Sequence, residues 1–333
     1  MARRERTTGL PRARGPKAAK QTARFGEREQ RLTVIGAGVL LIVFLAGLFG
    51  WRLYDEHIRH PNKTILAVAE EKYSLQYYAD RLFLAASQQS GGGTNVSILQ
   101  QTVLTDLENE AIAITIAKEK GITVSDQEVT DEIASQLGVP VGGAGSSFDT
   151  LYRQRLTSVK MSDSAYRRYT EAQVYRQKLS KSYEDGLGDK SELVTLRTVV
   201  SASKTDADTI LALAKTNADL GSIAQTQSTD LTSRQKDGLM DPEPPRLLPD
   251  NVRTAIGDKP AGAEIFGPVQ VDTNWWVFRI ETRDPNGTLS ETQKSQVADL
   301  MLQDAVKAKR AEIKIDRNIN SSDYTWANDH AGK

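Results

Sequence analysis

Acid–base and metal chemistry near neutral pH falls mainly to histidine and cysteine. This 333-residue chain has three histidines and no cysteine. The missing thiols exclude disulfides, thiolate metal centres, thiol catalysis and a lipid-modified cysteine anchor. His57 and His60 stand beside Asp55 and Glu56 just after an apolar run. These are the donor types of a weak metal site, but a charged stalk at a membrane surface accounts for the same four residues. His330 lies near the C-terminus. Between residues 61 and 329 there is no histidine, so a Ser-His-Asp triad has no place in the body of the chain. Neither a metal nor a cofactor is expected. Two features with chemical potential remain. Asp230 ends a Ser228-Thr229-Asp230 loop, where the plain role of the carboxylate is to form a turn. Trp275 and Trp276 are adjacent, so in a strand they point to opposite faces. Either one indole is core and the other lines an apolar groove, or both are buried at a domain contact.

The elements that must position these residues begin with a charge asymmetry. Lys+Arg and Asp+Glu both number 43, yet residues 1–31 carry ten bases and three acids. The remaining chain carries 33 bases and 40 acids. Leu32 to Trp51 joins the two parts with twenty uncharged residues. At about 1.5 Å per residue a helix of that length matches a hydrocarbon core of roughly 30 Å. The Gly36-Ala37-Gly38 triplet is not a dinucleotide fingerprint, because the third glycine position is Leu41. Nor is a cleaved signal peptide expected, since the run is long and Arg52-Leu53-Tyr54-Asp55-Glu56 follows it without a small-residue cleavage site. Residues 32–54 therefore read as a single-pass signal anchor in a cell membrane. Residues 1–31 are its basic cytoplasmic tail, and everything beyond faces outward. Phe25 is the only ring in that tail, so nucleic acid is not an expected partner.

Beyond a short polar stalk, residues 55–190 read as a helical lobe. Thr64–Val68 is expected as a strand, and Ser74 caps a helix through Tyr77, Leu82 and Ala86. Leu104, Leu107, Ala111 and Ile114 stripe a helix from about 98 to 120, ended by Gly121. Ser125 and Glu128 form a capping box for the next helix, which stops near Gly138. A helical pair follows over about 148–158 and 163–182. Residues 194–284 switch to the order β-α-α-α-β-β: a strand at Val194–Val200, a helix capped by Thr205, and two strands around Phe266 and Val277. Residues 289–316 return to helical periodicity, with Val297, Leu300, Met301, Ala305 and Ala308 on one face. A lone amphipathic helix must bury that face, and the first lobe is the available partner. Residues 317–333 read as a tail.

The stretch Val103-Leu104-Thr105-Asp106-Leu107-Glu108-Asn109-Glu110, running on to Gly121-Ile122-Thr123-Val124-Ser125-Asp126-Gln127-Glu128-Val129, resembles the helical lobe of the PrsA/SurA exported foldases. In the later block, Ile223-Ala224 to Ser228-Thr229-Asp230, Asp237-Gly238-Leu239 and Phe266-Gly267-Pro268-Val269 are similar to motifs of that family's parvulin-type prolyl isomerase domain. Lys309-Arg310-Ala311-Glu312-Ile313-Lys314-Ile315 resembles its closing helix. The resemblance covers residues 64–316. Together with the transmembrane helix read from the uncharged run, it implies an α+β chain with a SurA-like lobe completed by the C-terminal helix and an inserted parvulin-like α/β domain with a mostly antiparallel sheet.

Active parvulins place two histidines across the floor of the site, near an acid or cysteine. Here the first position is Thr198 and the second is Trp276, and the acid alone is kept, as Asp230. The apolar proline pocket would fall on Leu247 and Asn251. Leu239, Leu247, Val252, Trp275, Trp276 and Phe278 are the residues expected to line a peptide groove. The resemblance thus implies a membrane-anchored extracytoplasmic chaperone that binds unfolded or extended exported polypeptides, with a parvulin domain expected to be inactive. An isomerase with an atypical site and an accessory subunit of a membrane complex are the other readings.

Overall fold

The computed structural model describes residues 40–48, 50, 51, 54–88, 95–141, 147–216 and 219–332. Residues 1–60 form one unit and residues 61–333 a second. In the first, residues 40–48, 50 and 51 are helical, with Leu40, Ile42, Phe44 and Trp51 exposed. Among the described residues no helix is long and apolar enough to cross a membrane. Residues 32–39, 49, 52 and 53 of the expected anchor lie outside the described residues. The expected stalk contains a π-helical turn, Asp55–Arg59.

The second unit opens with a hairpin, β1 (Thr64–Val68) and β2 (Glu71–Ser74), followed by α1 (Leu75–Gln88). The Ser74 hydroxyl accepts from the Tyr77 amide at 3.2 Å, as a helix N-cap should. The longest lobe helix, α2 (Val96–Glu119), is capped by Asn95 and ends before Gly121 at φ +74°. Its expected stripe, Leu104, Leu107, Ala111 and Ile114, is buried. In α3 (Asp126–Leu137) the Ser125–Glu128 capping box is fully formed and Gly138 takes the left-handed C-cap. Helices α4 (Phe148–Val159) and α5 (Asp163–Gly186) complete this part.

The inserted domain starts with β3 (Lys190–Ser201), then α6 (Lys204–Lys215), α7 (Leu220–Gln227) and α8 (Leu231–Arg234). A 3-10 turn (Pro245–Leu247), α9 (Asp250–Ile256), β4 (Phe266–Val271) and β5 (Asn274–Thr288) follow. The sheet is antiparallel in the order β3-β5-β4. Helix α6 is capped by Ser203, whose hydroxyl accepts from Asp206, rather than by Thr205. Two overlapping polar pairs fit the capping pattern, and the one nearer the strand end is used. The β3–β5 ladder continues to Lys190 and Thr288, past the polar stretch that reads as the end of the domain.

The chain then returns to the lobe. Helix α10 (Glu291–Glu312) packs on α2 and α5, so the lobe is built from both ends of the chain. Its buried face is Val297, Ala298 and Leu302, with Ala305 and Val306 half-buried. The expected face is rotated by this, and Ala308 is exposed. The supposed tail is folded. It forms β6 (Ile315–Arg317), paired to β1, and α11 (Ser321–His330), whose Ala327 lies in the lobe core. Lys63 meets Asp323 at 2.5 Å and the Gln100 side chain donates to the Tyr324 carbonyl at 3.3 Å. These tertiary partners stabilise a segment that its own sequence pattern does not mark as structured.

Candidate functional site

Strand alternation sorts the sheet domain into two cores. Val199 of β3 and Val277 of β5 pack with Ala207, Ile210 and Ile223 on one face. On the other, Leu196, Phe278 and Ile280 pack with Phe266, Leu248, Val252 and Ile256. Thr198 is paired with Phe278 and Val200 with Trp276, so Thr198 and Trp276 share this second face. It is the face to which the resemblance assigns a catalytic floor.

Thr198 is 1% exposed. Its amide donates to the Gly238 carbonyl at 2.7 Å and its hydroxyl reaches the same oxygen at 3.4 Å. Gly238 has φ +78°, and a Cβ there would meet the Thr198 carbonyl oxygen at 2.5 Å. The glycine is needed because the loop runs directly against the strand. Gly267 is a parallel case, since a Cβ at that position would lie 2.6 Å from the Trp276 carbonyl oxygen. Two of the motifs quoted above thus have steric reasons that do not depend on catalysis.

Trp276 is half-buried against the Phe278 core, and Trp275 is half-buried on the opposite face, where the Lys204 ammonium lies 5.7 Å from its ring centroid. Neither indole is fully core, and Trp275 does not belong to the site face. Val252 and Phe278, expected in a peptide groove, are fully buried, and Phe278 stacks on Phe266 at 5.4 Å. They form the floor's foundation, not its surface. Leu239 and Leu247 are half-buried. Leu247 borders a cleft against α10, and Leu239 lies on the segment bridged to Arg197. Asn251 donates to the Gln270 carbonyl at 2.9 Å, tying α9 to β4.

Asp230 is the N-cap of α8, accepting from the Ser233 amide at 2.9 Å and the Thr232 amide at 3.3 Å. The adjoining Ser233 side chain and these amides hold its carboxyl below the usual range, against a smaller opposing effect of burial. The Ser233 hydroxyl lies buried beside the carboxylate without a hydrogen bond of good geometry among the described residues, so the two amides supply the fixed contacts. A carboxylate fixed in this way is a poor proton acceptor, and the turn-forming role accounts for it. Across the sheet, Arg197 and Arg279 both reach Glu281, at 2.5 and 2.6 Å. Burial alone would raise the Glu281 carboxyl, and the two guanidinium hydrogen bonds lower it instead.

The lobe holds chemistry that the sequence reading missed. A cavity of about 510 Å³ is lined by residues of α1, α2, α5 and α10, including Arg81, Glu110, Tyr169 and Leu302. Arg81 meets Glu110 at 2.6 Å, with both side chains nearly enclosed, and stacks 4.6 Å from the Tyr169 ring centroid. Arg168 lies 4.5 Å from the ring centroid of Tyr73. Burial pushes the Glu110 carboxyl up, more than Arg81 and Arg168 pull it down. Glu108, fully buried, is held by Arg310 at 2.5 Å and by Arg317. Arg81 and Glu110 are 29 residues apart, so no local spacing could have paired them. Among the described residues, no group of three or more metal-ligating side chains could hold a metal ion.

Residues 27–180 match the SurA-like N-terminal domain family, and residues 174–294 match the PPIC-type PPIASE domain family. Similar solved structures include the peptidylprolyl isomerase PrsA of Bacillus anthracis, 16% identical, covering 66% of this chain and 99% of that one with a TM-score of 0.43. The foldase protein PrsA of Streptococcus pneumoniae is 14% identical over 81% of this chain and 99% of its own, with a TM-score of 0.33. A structure from work on PEB4 and Cj1289, two SurA-like chaperones of Campylobacter jejuni, is 14% identical over 75% of this chain and 94% of its own, with a TM-score of 0.27. A search of curated proteins finds no match.

Proposed function

Because this chain is a SurA/PrsA-like foldase, joining a SurA-like N-terminal domain to a PPIC-type isomerase domain, we propose that it is a membrane-anchored extracytoplasmic chaperone whose isomerase domain grips polypeptide without turning it over. The observation that carries the second half is the site floor. Thr198 hydrogen-bonds a backbone carbonyl and Trp276 packs over the adjoining core, at the two positions that the resemblance gives to imidazoles. Prolyl isomerisation crosses a barrier of about 18–20 kcal/mol in free peptides and breaks no bond. An enzyme lowers it by holding a twisted imide in a dry, shaped pocket. A floor with a threonine committed to backbone and a bulky indole in place of imidazole lacks the polar frame for that task.

Anchoring is supported by the ten bases of residues 1–31 and the uncharged run from Leu32 to Trp51. The clients are unfolded or extended exported polypeptides. The full chain in detergent micelles is expected to suppress aggregation of an unfolded test protein at near-stoichiometric ratio. It is also expected to leave a protease-coupled prolyl isomerisation assay at the uncatalysed rate. The isomerase-family match favours the second reading, an active isomerase with an atypical site. Turnover that disappears in Asp230→Ala would establish that reading and overturn ours.

A further inference from the structure

Two clefts meet on α10. The lobe cavity of about 510 Å³ and the cleft of about 700 Å³ bordered by Leu247, Leu248 and Leu300 share Gln303 and Lys307. Together they run from Arg81 in the lobe to the 3-10 turn of the sheet domain. Most charges along this path are already paired. Arg246 meets Asp304, Arg253 meets Asp250, and Arg310 meets Glu108 and Asn109. Arg176 and Lys307 are exposed and make no ion pair among the described residues. Asp106 is the single unpaired acid there among the described residues. Arg81 adds a further donor. Its Nη1 serves both Glu110 and the Tyr77 hydroxyl, and its Nε and Nη2 have no hydrogen-bond partner among the described residues. That Nε–Nη2 edge is one of the two geometries by which a guanidinium holds a carboxylate through paired hydrogen bonds. The groove is therefore cationic, in a chain whose acids outnumber its bases by 40 to 33 beyond residue 31.

We infer that this groove selects acid-bearing stretches of extended polypeptide, seating Asp or Glu side chains near Arg81, Arg176 and Lys307, an inference that rests on the chaperone reading. Tyr169 and Leu247, both half-buried, supply apolar contact on the way. Backbone and apolar contact give affinity, and the unpaired cations set which segments are held.

The test uses the full chain in detergent micelles and three labelled extended peptides. They are matched in length and apolar residues, with glutamate, glutamine or lysine at the same positions. Fluorescence anisotropy at low ionic strength is expected to rank glutamate over glutamine over lysine. Two exposed contacts summed give roughly a tenfold span. The doubly reversed chain, Arg176→Glu with Lys307→Glu, is expected to erase or invert the order while its urea midpoint stays unchanged, since both side chains are exposed and unpaired. Added salt should compress the ranking. Equal binding of the glutamate and glutamine peptides, or a ranking indifferent to the reversal, overturns the inference and leaves the chaperone reading intact. Failure to bind all three peptides, together with no suppression of aggregation, overturns the chaperone reading and this inference with it.

Discussion

In the lobe, Glu108 and Glu110 are carboxylates enclosed by protein and each meets a guanidinium. In the sheet domain, the two positions that parvulins give to imidazoles hold a threonine bonded to backbone and a half-buried indole. The two regions share one folded unit but place their ionisable groups differently. In the lobe, Glu108 ties the C-terminal α10 and β6 to α2, and Glu110 ties α2 to α1. On the face shared by Thr198 and Trp276 the sheet domain places hydrogen-bonded and apolar groups. Elsewhere in the domain, Arg197 and Arg279 both pair with Glu281.

The contrast can be tested by removing groups from each side. The largest effect is expected for Glu108→Ala, which unties α10 and β6 from α2. The exposed ends of Arg310 and Arg317 can rewet, so the loss should be about 3 kcal/mol by urea unfolding. The acid arm follows in sign. Burial alone would raise Glu108, but the hydrogen bonds from Arg317 and Arg310 hold it below its ordinary value. Its contribution is therefore fully present above the unfolded value of about 4.3 and fades as pH falls through the lower folded value. Wild-type stability should fall more steeply below that pH than that of Glu108→Ala.

In the sheet domain the matching test is steric. Gly238→Ala forces a Cβ toward the Thr198 carbonyl at a positive φ and is expected to destabilise by about 2 kcal/mol. A loss below about 0.5 kcal/mol would mean that the loop and strand are less tightly apposed than the geometry gives.

A third change should stabilise. Asp80 in α1 is buried with a hydrogen bond from Gln76 at 2.8 Å, and burial pushes its carboxyl up to about 6. A raised acid binds its proton more tightly when folded. Stability from it is thus greatest at low pH, declines as pH rises from about 4 toward 6, and stays low above. Asp80→Asn removes that decline, and about 1–2 kcal/mol of added stability is expected at pH 7. Equal stability of the two chains across that window would contradict the assignment. The smallest effect is expected at Asp230→Ala, where losing the α8 cap costs about 1 kcal/mol and leaves peptide binding unchanged.

Much of the lobe is legible because helix signals are local. The Ser125–Glu128 box, Gly121 and Gly138 each act where their types and spacing place them. What escaped was non-local. The sequence reading ends the α/β domain at residue 284, yet β5 runs on through Pro285 and Gly287 to Thr288 because β3 offers a partner along its length. The segment 317–333 has few aliphatic residues, and it folds because Ala327, Tyr324 and Asp323 find partners from elsewhere in the lobe. At the site, the loss of histidine is legible from composition alone. The destination of the substituents is not, since only the register shows that Thr198 and Trp276 share a face while Trp275 does not.

The central claim, grip without turnover, is tested most directly by exchange NMR on a proline-containing peptide. Cis and trans resonances are followed with and without the full chain. The expected result is broadening or shift that reports binding, with the cis–trans exchange rate unchanged from that of the free peptide. An exchange rate that rises in proportion to added protein, and falls back in Thr198→Val or Trp276→Ala, would contradict it.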